Sequence, residues 1–307
     1  MEEKNQDEPR KKGILDLPVS KRTLLKYGFL GAGLAVLKPL TEKPGWMKVL
    51  DSQDKSDVAK NESKEVPKES FEEKFFHNLT SEEQKTVDEK IESMKGNFDD
   101  HEGKCQRIAQ YEDLITVSTE TYSVPKELLI GLIFAESGGD RMAVSKKAEA
   151  KGITQVMDFI AEAWAKDGIF NYSNDENDDR FNVPKVLDYS CRELAGYFEK
   201  FGDWGMTFWA WHAGEPQVFE ALRVYFKGEL PSINVPKEDT PEKKEEAYKK
   251  AMEVRELYQK KIKESGVCVH HLLSTPEVRE IFEGEEWNRT DEYCYRICAG
   301  AEIYYKE

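Results

Sequence analysis

The most apolar stretch of the sequence carries a single acid at its end. Apolar residues recur at helical spacing through the run LLIGLIFA at 128–135. Pro125 suits the first turn of a helix, and the glycine pair after Ser137 suits its end. The pattern predicts a helix that ends at Glu136, where a negative charge opposes the helix dipole. A carboxyl in such an apolar setting is a candidate general acid, whereas an exposed terminal glutamate is the simpler alternative.

Helical spacing recurs along the rest of the sequence, and no stretch shows a convincing strand pattern. One or two helices are expected within 71–97, where SEEQ at 81–84 suits a first turn. Further helices are predicted over 155–166, 186–201, 205–213, 241–264 and 290–306. The helix at 241–264 is strongly charged, with a thin apolar stripe that includes Ala251 and Tyr258. The predicted fold class is mainly α.

The first 40 residues have the pattern of an export segment. Lys21 and Arg22 precede an apolar stretch at 27–37, which is too short for a membrane span of about 20 residues. The order SKRTLLK at 20–26 resembles the twin-arginine export motif, with Lys in the first arginine position. Residues 1–40 are therefore predicted to be an export signal or, since no clear cleavage site follows, an N-terminal membrane anchor. The expected location is the cell envelope, in the periplasm or on the extracellular side of the membrane.

Composition divides the remainder of the chain. Residues 41–70 are rich in Lys, Glu, Asp and Ser, so 41–100 is predicted to be a charged linker with candidate short helices. The packed domain is expected over 101–307. The 307 residues carry a net charge of −15, which argues against nucleic acid and anionic lipid surfaces as partners.

Four blocks at 124–299 resemble the soluble lytic transglycosylase (SLT) family, the bacterial relatives of goose-type lysozyme. The blocks occur in the family's order: LLIGLIFAESGGD, AVSKKAEAKGITQVM at 143–157, LAGYFEKFGD followed by WGMTFWAWHAGEPQV at 194–218, and RTDEYCYRICA at 289–299. The resemblance implies a lysozyme-like helical domain at 101–307 that acts on peptidoglycan glycan strands as a monomer and without a cofactor.

The resemblance also implies a reaction with Glu136 as its one catalytic residue. This residue would protonate the β-1,4 bond between N-acetylmuramic acid and N-acetylglucosamine and then deprotonate the muramyl 6-hydroxyl, giving a 1,6-anhydro product. Two alternatives stay open, a goose-type lysozyme-like hydrolase and an inactive peptidoglycan-binding scaffold.

Seven further positions align with the family's substrate-binding segments. Expected contacts to the glycan come from these residues: Ser137, Gln155, Trp211, His212, Ala213, Gly214 and Tyr293. Tyr293 falls on a tyrosine that lies near the catalytic glutamate in the family. The pair Trp211-His212 replaces the family's Tyr-Asn, and Arg289 stands where the motif has Glu, so the subsites are expected to differ.

Other acids and the cysteines suggest further chemistry. A second catalytic carboxylate would come from Asp140, Glu149, Asp158 or the run NDENDD at 174–179, although all are expected to be solvated. Five cysteines in an exported protein predict at least one disulfide. A zinc site built from Cys268, His270 or His271, Cys294 and Cys298 is the weaker alternative, and no metal is expected.

Overall fold

The computed structural model describes residues 71–145, 149–168, 170–173, 175–232, 241–281 and 291–306. The predicted export signal or anchor at 1–40 and the linker at 41–70 lie outside these residues, as does Arg289. Within the described ranges, no helix is long and apolar enough to cross a membrane.

The described chain is helical, as predicted. The helices are, in order, α1 Phe71–Phe75, α2 Ser81–Lys95, α3 His101–Ala109, α4 Glu112–Tyr122, α5 Lys126–Glu136, α6 Asp158–Trp164, α7 Val183–Phe201, α8 Trp204–Ala213, α9 Glu215–Tyr225, α10 Pro241–Ser265, α11 Val269–Ser274, α12 Pro276–Glu280 and α13 Tyr293–Lys306. Two short 3₁₀ turns, at Ala165–Asp167 and Asp179–Phe181, lie between α6 and α7. Extended pairing among the described residues is limited to two isolated bridges in the loop before α6.

Helix α5 lies at the centre and crosses the closing helix α13 at short range. Residues 128–134 of α5 are all buried, as expected of a helix that is apolar on every side. A β-carbon on Gly131 would collide with the carbonyl oxygen of Ile297, and one on Gly300 would lie 2.9 Å from Cβ of Phe134. These two glycines therefore allow the backbones to approach closely, and this contact carries the start of α13 to the end of α5.

Helix α2 packs against the other side of α13 and lies within the predicted linker at 41–100. It begins with a capping box, in which the Thr80 hydroxyl accepts from the Glu83 amide and Glu83 accepts from the Thr80 amide at 2.8 Å. Val87, Ile91 and Met94 are buried. Part of the predicted linker therefore contributes to the core, and the predicted division into domains remains a prediction.

Helices α7, α8 and α9 form the other half of the packed region. Asn182 caps α7, and α7 buries one apolar face along its length, as its amphipathic sequence requires. Asp203 caps α8 by accepting from the Met206 amide at 2.6 Å. Helix α9 starts directly after Gly214, so residues 211–213 at the end of α8 and Gly214 at the junction lie together.

The charged helix α10 is present, and its apolar stripe faces the protein. Ala251 and Tyr258 are buried, and the Tyr258 hydroxyl donates to the Pro231 carbonyl at 2.9 Å. Arg255 pairs with Glu215 at 3.1 Å, which joins this helix to the first residue of α9.

The predicted disulfide is not supported. All five cysteines lie in the described residues, and none is bonded to another. Cys191, Cys268, Cys294 and Cys298 are instead fully buried, where a thiol packs like a small apolar side chain. The alternative zinc site is not supported either, because no group of three His, Cys, Asp or Glu side chains among the described residues could hold a metal ion.

Candidate active site

Glu136 is the last residue of α5, and its carboxyl is half-buried. Burial raises its pKa from 4.5 to about 7, because an ionised carboxyl is disfavoured away from water. A hydrogen bond from Tyr293 and the positive charge of Arg296 act in the opposite direction. The exposed-glutamate alternative therefore does not describe this residue, and near neutral pH the carboxyl can hold a proton and release it.

Tyr293 lies beside this carboxyl, the position that the sequence resemblance implies. Its hydroxyl donates to Oε1 of Glu136 at 2.5 Å. The tyrosine is the first residue of α13, so the crossing of α13 and α5 at their glycines sets this contact. Burial and the neighbouring carboxyl raise the pKa of Tyr293 well above 10, so the phenol remains a hydrogen-bond donor.

Ser137 connects the acid to the next loop. Its hydroxyl donates to the Ile153 carbonyl at 2.7 Å and accepts from the Gly139 amide at 3.2 Å. A serine has one hydroxyl proton, and here it is used on the backbone. Ser137 thus holds the turn after Glu136 against the loop that carries Gln155, while its contact with a glycan stays a prediction.

Gln155 occupies a tight turn in that loop. Its backbone has a φ of +51°, and its side-chain amide donates to the carbonyls of Gly152 at 2.9 Å and Ala143 at 3.2 Å. Gly152 lies directly against the Arg180 carbonyl, which leaves no space for a side chain. The half-buried Gln155 amide is therefore held in a fixed direction.

The end of α8 brings the segment 211–214 to the same site. The rings of His212 and Tyr293 are stacked, with centroids 4.0 Å apart and planes at 15°. Burial, aided by the charge of Arg296, lowers the pKa of His212 to about 4, so the imidazole is neutral at neutral pH. Trp211 is half-exposed and Ala213 is buried. The space beside Gly214 is open except for Pro216.

Comparison with protein families gives one match. Residues 113–229 match the family model described as the transglycosylase SLT domain. This part of the chain is similar to the transglycosylase SLT domain. No curated protein matches the chain. With the helical architecture, the match confirms the predicted fold class, a mainly α domain of the SLT, lysozyme-like type.

Proteins with an SLT domain act on the peptidoglycan of the cell wall, so transglycosylase chemistry on glycan strands is the general activity of this domain. Within the matched range lie Glu136, Ser137, Gln155 and the segment 211–214. Tyr293 lies beyond it, on α13. The site thus combines the SLT domain with a helix from the later part of the chain.

Arg296 is a residue of this site that the sequence analysis missed. One turn after Tyr293, it donates to the Ala135 carbonyl at 3.4 Å, and its guanidinium lies 5.3 Å from the centre of the Phe98 ring. Its charge acts on the pKa of both Glu136 and His212. The signal in the sequence was its position three residues after Tyr293, which places both side chains on one helix face.

The acidic run at 174–179 is partly buried, in contrast to the solvated loop that was expected. Arg180 is fully buried and binds Asp178 through two nitrogens, at 3.0 and 2.6 Å, and also Asp158. Asp179 accepts from Lys185 at 2.7 Å. The buried guanidinium requires these partners, since an unpaired charge would be costly inside the protein.

Other candidates for a second carboxylate are placed elsewhere. Asp140 is exposed and accepts from the Met142 amide at 2.8 Å, and Glu149 is exposed. In the described part of the chain, the side chains that act on the pKa of Glu136 are Tyr293 and Arg296, and neither is a carboxylate.

Proposed function

We propose that this protein is a peptidoglycan lytic transglycosylase that cleaves the β-1,4 bond between N-acetylmuramic acid and N-acetylglucosamine with formation of a 1,6-anhydro-muramyl product. The observation that carries the proposal is the carboxyl of Glu136, which has a pKa of about 7 and a tyrosine donor at 2.5 Å. Such a group can serve as an acid and then as a base at the same pH. The SLT domain supplies the substrate class.

In the first step, protonated Glu136 donates to the glycosidic oxygen, and the bond from that oxygen to the muramyl anomeric carbon breaks. The N-acetyl group of the muramyl sugar stabilises the positive charge that develops on this carbon. Tyr293 donates to the carboxylate that is left, which stabilises the negative charge and keeps its other oxygen available to the substrate.

In the second step, the carboxylate of Glu136 takes the proton from the muramyl 6-hydroxyl. The oxygen attacks the anomeric carbon and closes the anhydro ring, so water is not consumed and Glu136 is protonated again. Among the described residues, no carboxylate acts on the pKa of Glu136. This supports the proposed reaction over a mechanism with two carboxylates, which needs a partner within about 5 to 10 Å.

The remaining site residues would hold the glycan. We place the sugar backbone against Gln155 and against Trp211, Ala213 and Gly214 at the end of α8, where the open space beside Gly214 admits a bulky chain. The predicted export segment at 1–40 would bring the domain to the cell envelope.

Digestion of purified sacculi followed by mass spectrometry of the muropeptides tests the proposal. We expect muropeptides with 1,6-anhydro ends, which are one water lighter than those with reducing ends. Reducing ends alone would identify a lysozyme-like hydrolase. Binding to sacculi without any soluble product would identify a scaffold, and either result refutes the proposed reaction.

A further inference from the structure

We propose that His212 is a positioning residue for the reaction, whose imidazole ring stacks on Tyr293 and holds the phenol hydroxyl on Glu136. This inference rests on the proposed function and assigns a distinct task within it. The three side chains form a relay of contacts, in which His212 acts through Tyr293 on Glu136 and Glu136 acts on the substrate.

The geometry of the relay is specific. The His212 and Tyr293 rings lie 4.0 Å apart and nearly parallel, and the Tyr293 hydroxyl lies 2.5 Å from Oε1 of Glu136. The three residues come from the ends of different helices, α8, α13 and α5. Packing of the His212 ring on the Tyr293 ring therefore links the position of the Glu136 carboxyl to the end of α8.

Tyr293 needs such support because of where it stands. It is the first residue of α13 and its ring is buried, so the side chains that pack on the ring set its position. The hydroxyl is at the far end of the ring, so a small rotation at the helix end moves it out of hydrogen-bond range. A flat ring stacked on the phenol limits that rotation.

The chemistry of His212 fits a supporting task better than proton transfer. The bond to Glu136 comes from Tyr293, and His212 meets the pair through the face of its ring. Burial and the charge of Arg296 on the next turn of α13 keep the imidazole neutral through the pH range in which Glu136 changes charge. A neutral ring packs against the phenol without adding a charge beside the acid.

Three variants separate the tasks. His212→Phe keeps a flat ring and removes both nitrogens, His212→Asn keeps polarity and removes the ring, and Tyr293→Phe removes the hydroxyl. A stacked pair of this kind corresponds to roughly a 3- to 10-fold effect. We expect His212→Asn to lower kcat by about that factor with little change in KM, and His212→Phe to stay within about 2-fold of the wild type.

The double variant gives the sharper test. With Tyr293→Phe present, His212→Asn should cause no further loss, because no hydroxyl is left to position. Losses that multiply would overturn the proposal. So would an equal loss from His212→Phe and His212→Asn, which would show that a ring nitrogen is needed, or a rise in KM at unchanged kcat, which would show a substrate contact.

A readout without turnover keeps the proposal testable if the proposed function fails. The Tyr293 bond lowers the pKa of Glu136, so its loss should raise that pKa. The pKa is obtained from the pH dependence of the difference in unfolding free energy between Glu136 and Glu136→Gln in each background. We expect His212→Asn, but not His212→Phe, to raise it. An unchanged pKa in His212→Asn refutes the positioning task, whereas wild-type digests without anhydro products refute the function.

Discussion

Replacement of Glu136 by Gln should abolish cleavage and at the same time stabilise the protein above neutral pH. Gln keeps the shape of the side chain and can still accept the hydrogen bond from Tyr293. It cannot donate a proton to the leaving oxygen or remove one from the 6-hydroxyl. General acid–base catalysis contributes about 10²- to 10⁴-fold, and one residue serves both steps here, so the loss of kcat should reach the upper end of that range.

The effect on stability follows from the shift in pKa. In the unfolded chain the carboxyl ionises near pH 4.5, and in the folded protein near pH 7. Below pH 4.5 both states hold the proton, so the carboxyl carries no ionisation penalty. As the pH rises from 4.5 to 7 the unfolded state ionises first and the folded protein loses stability, by roughly 3 kcal/mol at about 1.4 kcal/mol for each tenfold change in proton affinity.

The variant lacks this loss. The difference in unfolding free energy between Glu136→Gln and the wild type should therefore grow from near zero at pH 4.5 to roughly 3 kcal/mol in favour of the variant at pH 8. Urea unfolding at several pH values measures the difference, and release of soluble muropeptides from sacculi measures activity.

A matched control is available at Glu193, a buried glutamate on α7 whose pKa burial also raises. Glu193→Gln should show a stability difference of the same sign while activity persists. Near-normal turnover by Glu136→Gln would refute its assignment as the acid. A stability difference that does not vary between pH 4.5 and pH 8 would refute the argument that burial holds the proton.

Three further predictions concern the frame of the site and its pH dependence. Gly131→Ala should destabilise the protein and lower activity, because the new methyl group collides with the closing helix, whereas Gly196→Ala has open space in α7 and should stabilise by about 0.5–1 kcal/mol in thermal or urea unfolding. Arg180→Met should cost about 3–5 kcal/mol because the buried Asp178 loses its bidentate partner. Loss of the exposed pair in Arg223→Met should cost at most about 1 kcal/mol in the same assay. The initial rate at low substrate concentration should fall as the pH rises through about 7, where Glu136 loses its proton, and a rate that increases through this range would contradict its task as the acid.

The sequence by itself determined the helical class and the position of the candidate acid. Helical spacing and the glycines at 138 and 139 fixed the helix that ends at Glu136, because these signals act over a few neighbouring residues. The same local signals predicted α7, α8 and the charged helix α10, with ends that differ by at most three residues. They did not separate α9, α11 and α12, which are short or follow directly on a neighbour.

Only the tertiary structure decided which side chains lie around Glu136 and hold its carboxyl in place. The stack of His212 on Tyr293 joins residues 81 positions apart, and the charge of Arg296 reaches Glu136 across 160 positions. Such contacts depend on how closely α5 and α13 approach, which the glycines at 131 and 300 permit because a side chain at either position would meet the other helix. A spacing pattern along one helix carries no information about the partner at a crossing.

The structure differs from two interpretations that composition favoured, and in both the reason is burial. The acidic run was expected in solvent because six consecutive polar residues read as a loop, yet its last two carboxylates neutralise Arg180 and Lys185 inside the protein. The cysteines were expected to pair because of their number, yet none is bonded to another and four of the five are buried in the core as free thiols. In both cases residue type was known from the sequence, while the distance between partners, which determines whether charges or thiols can meet, was set by the packing of the helices.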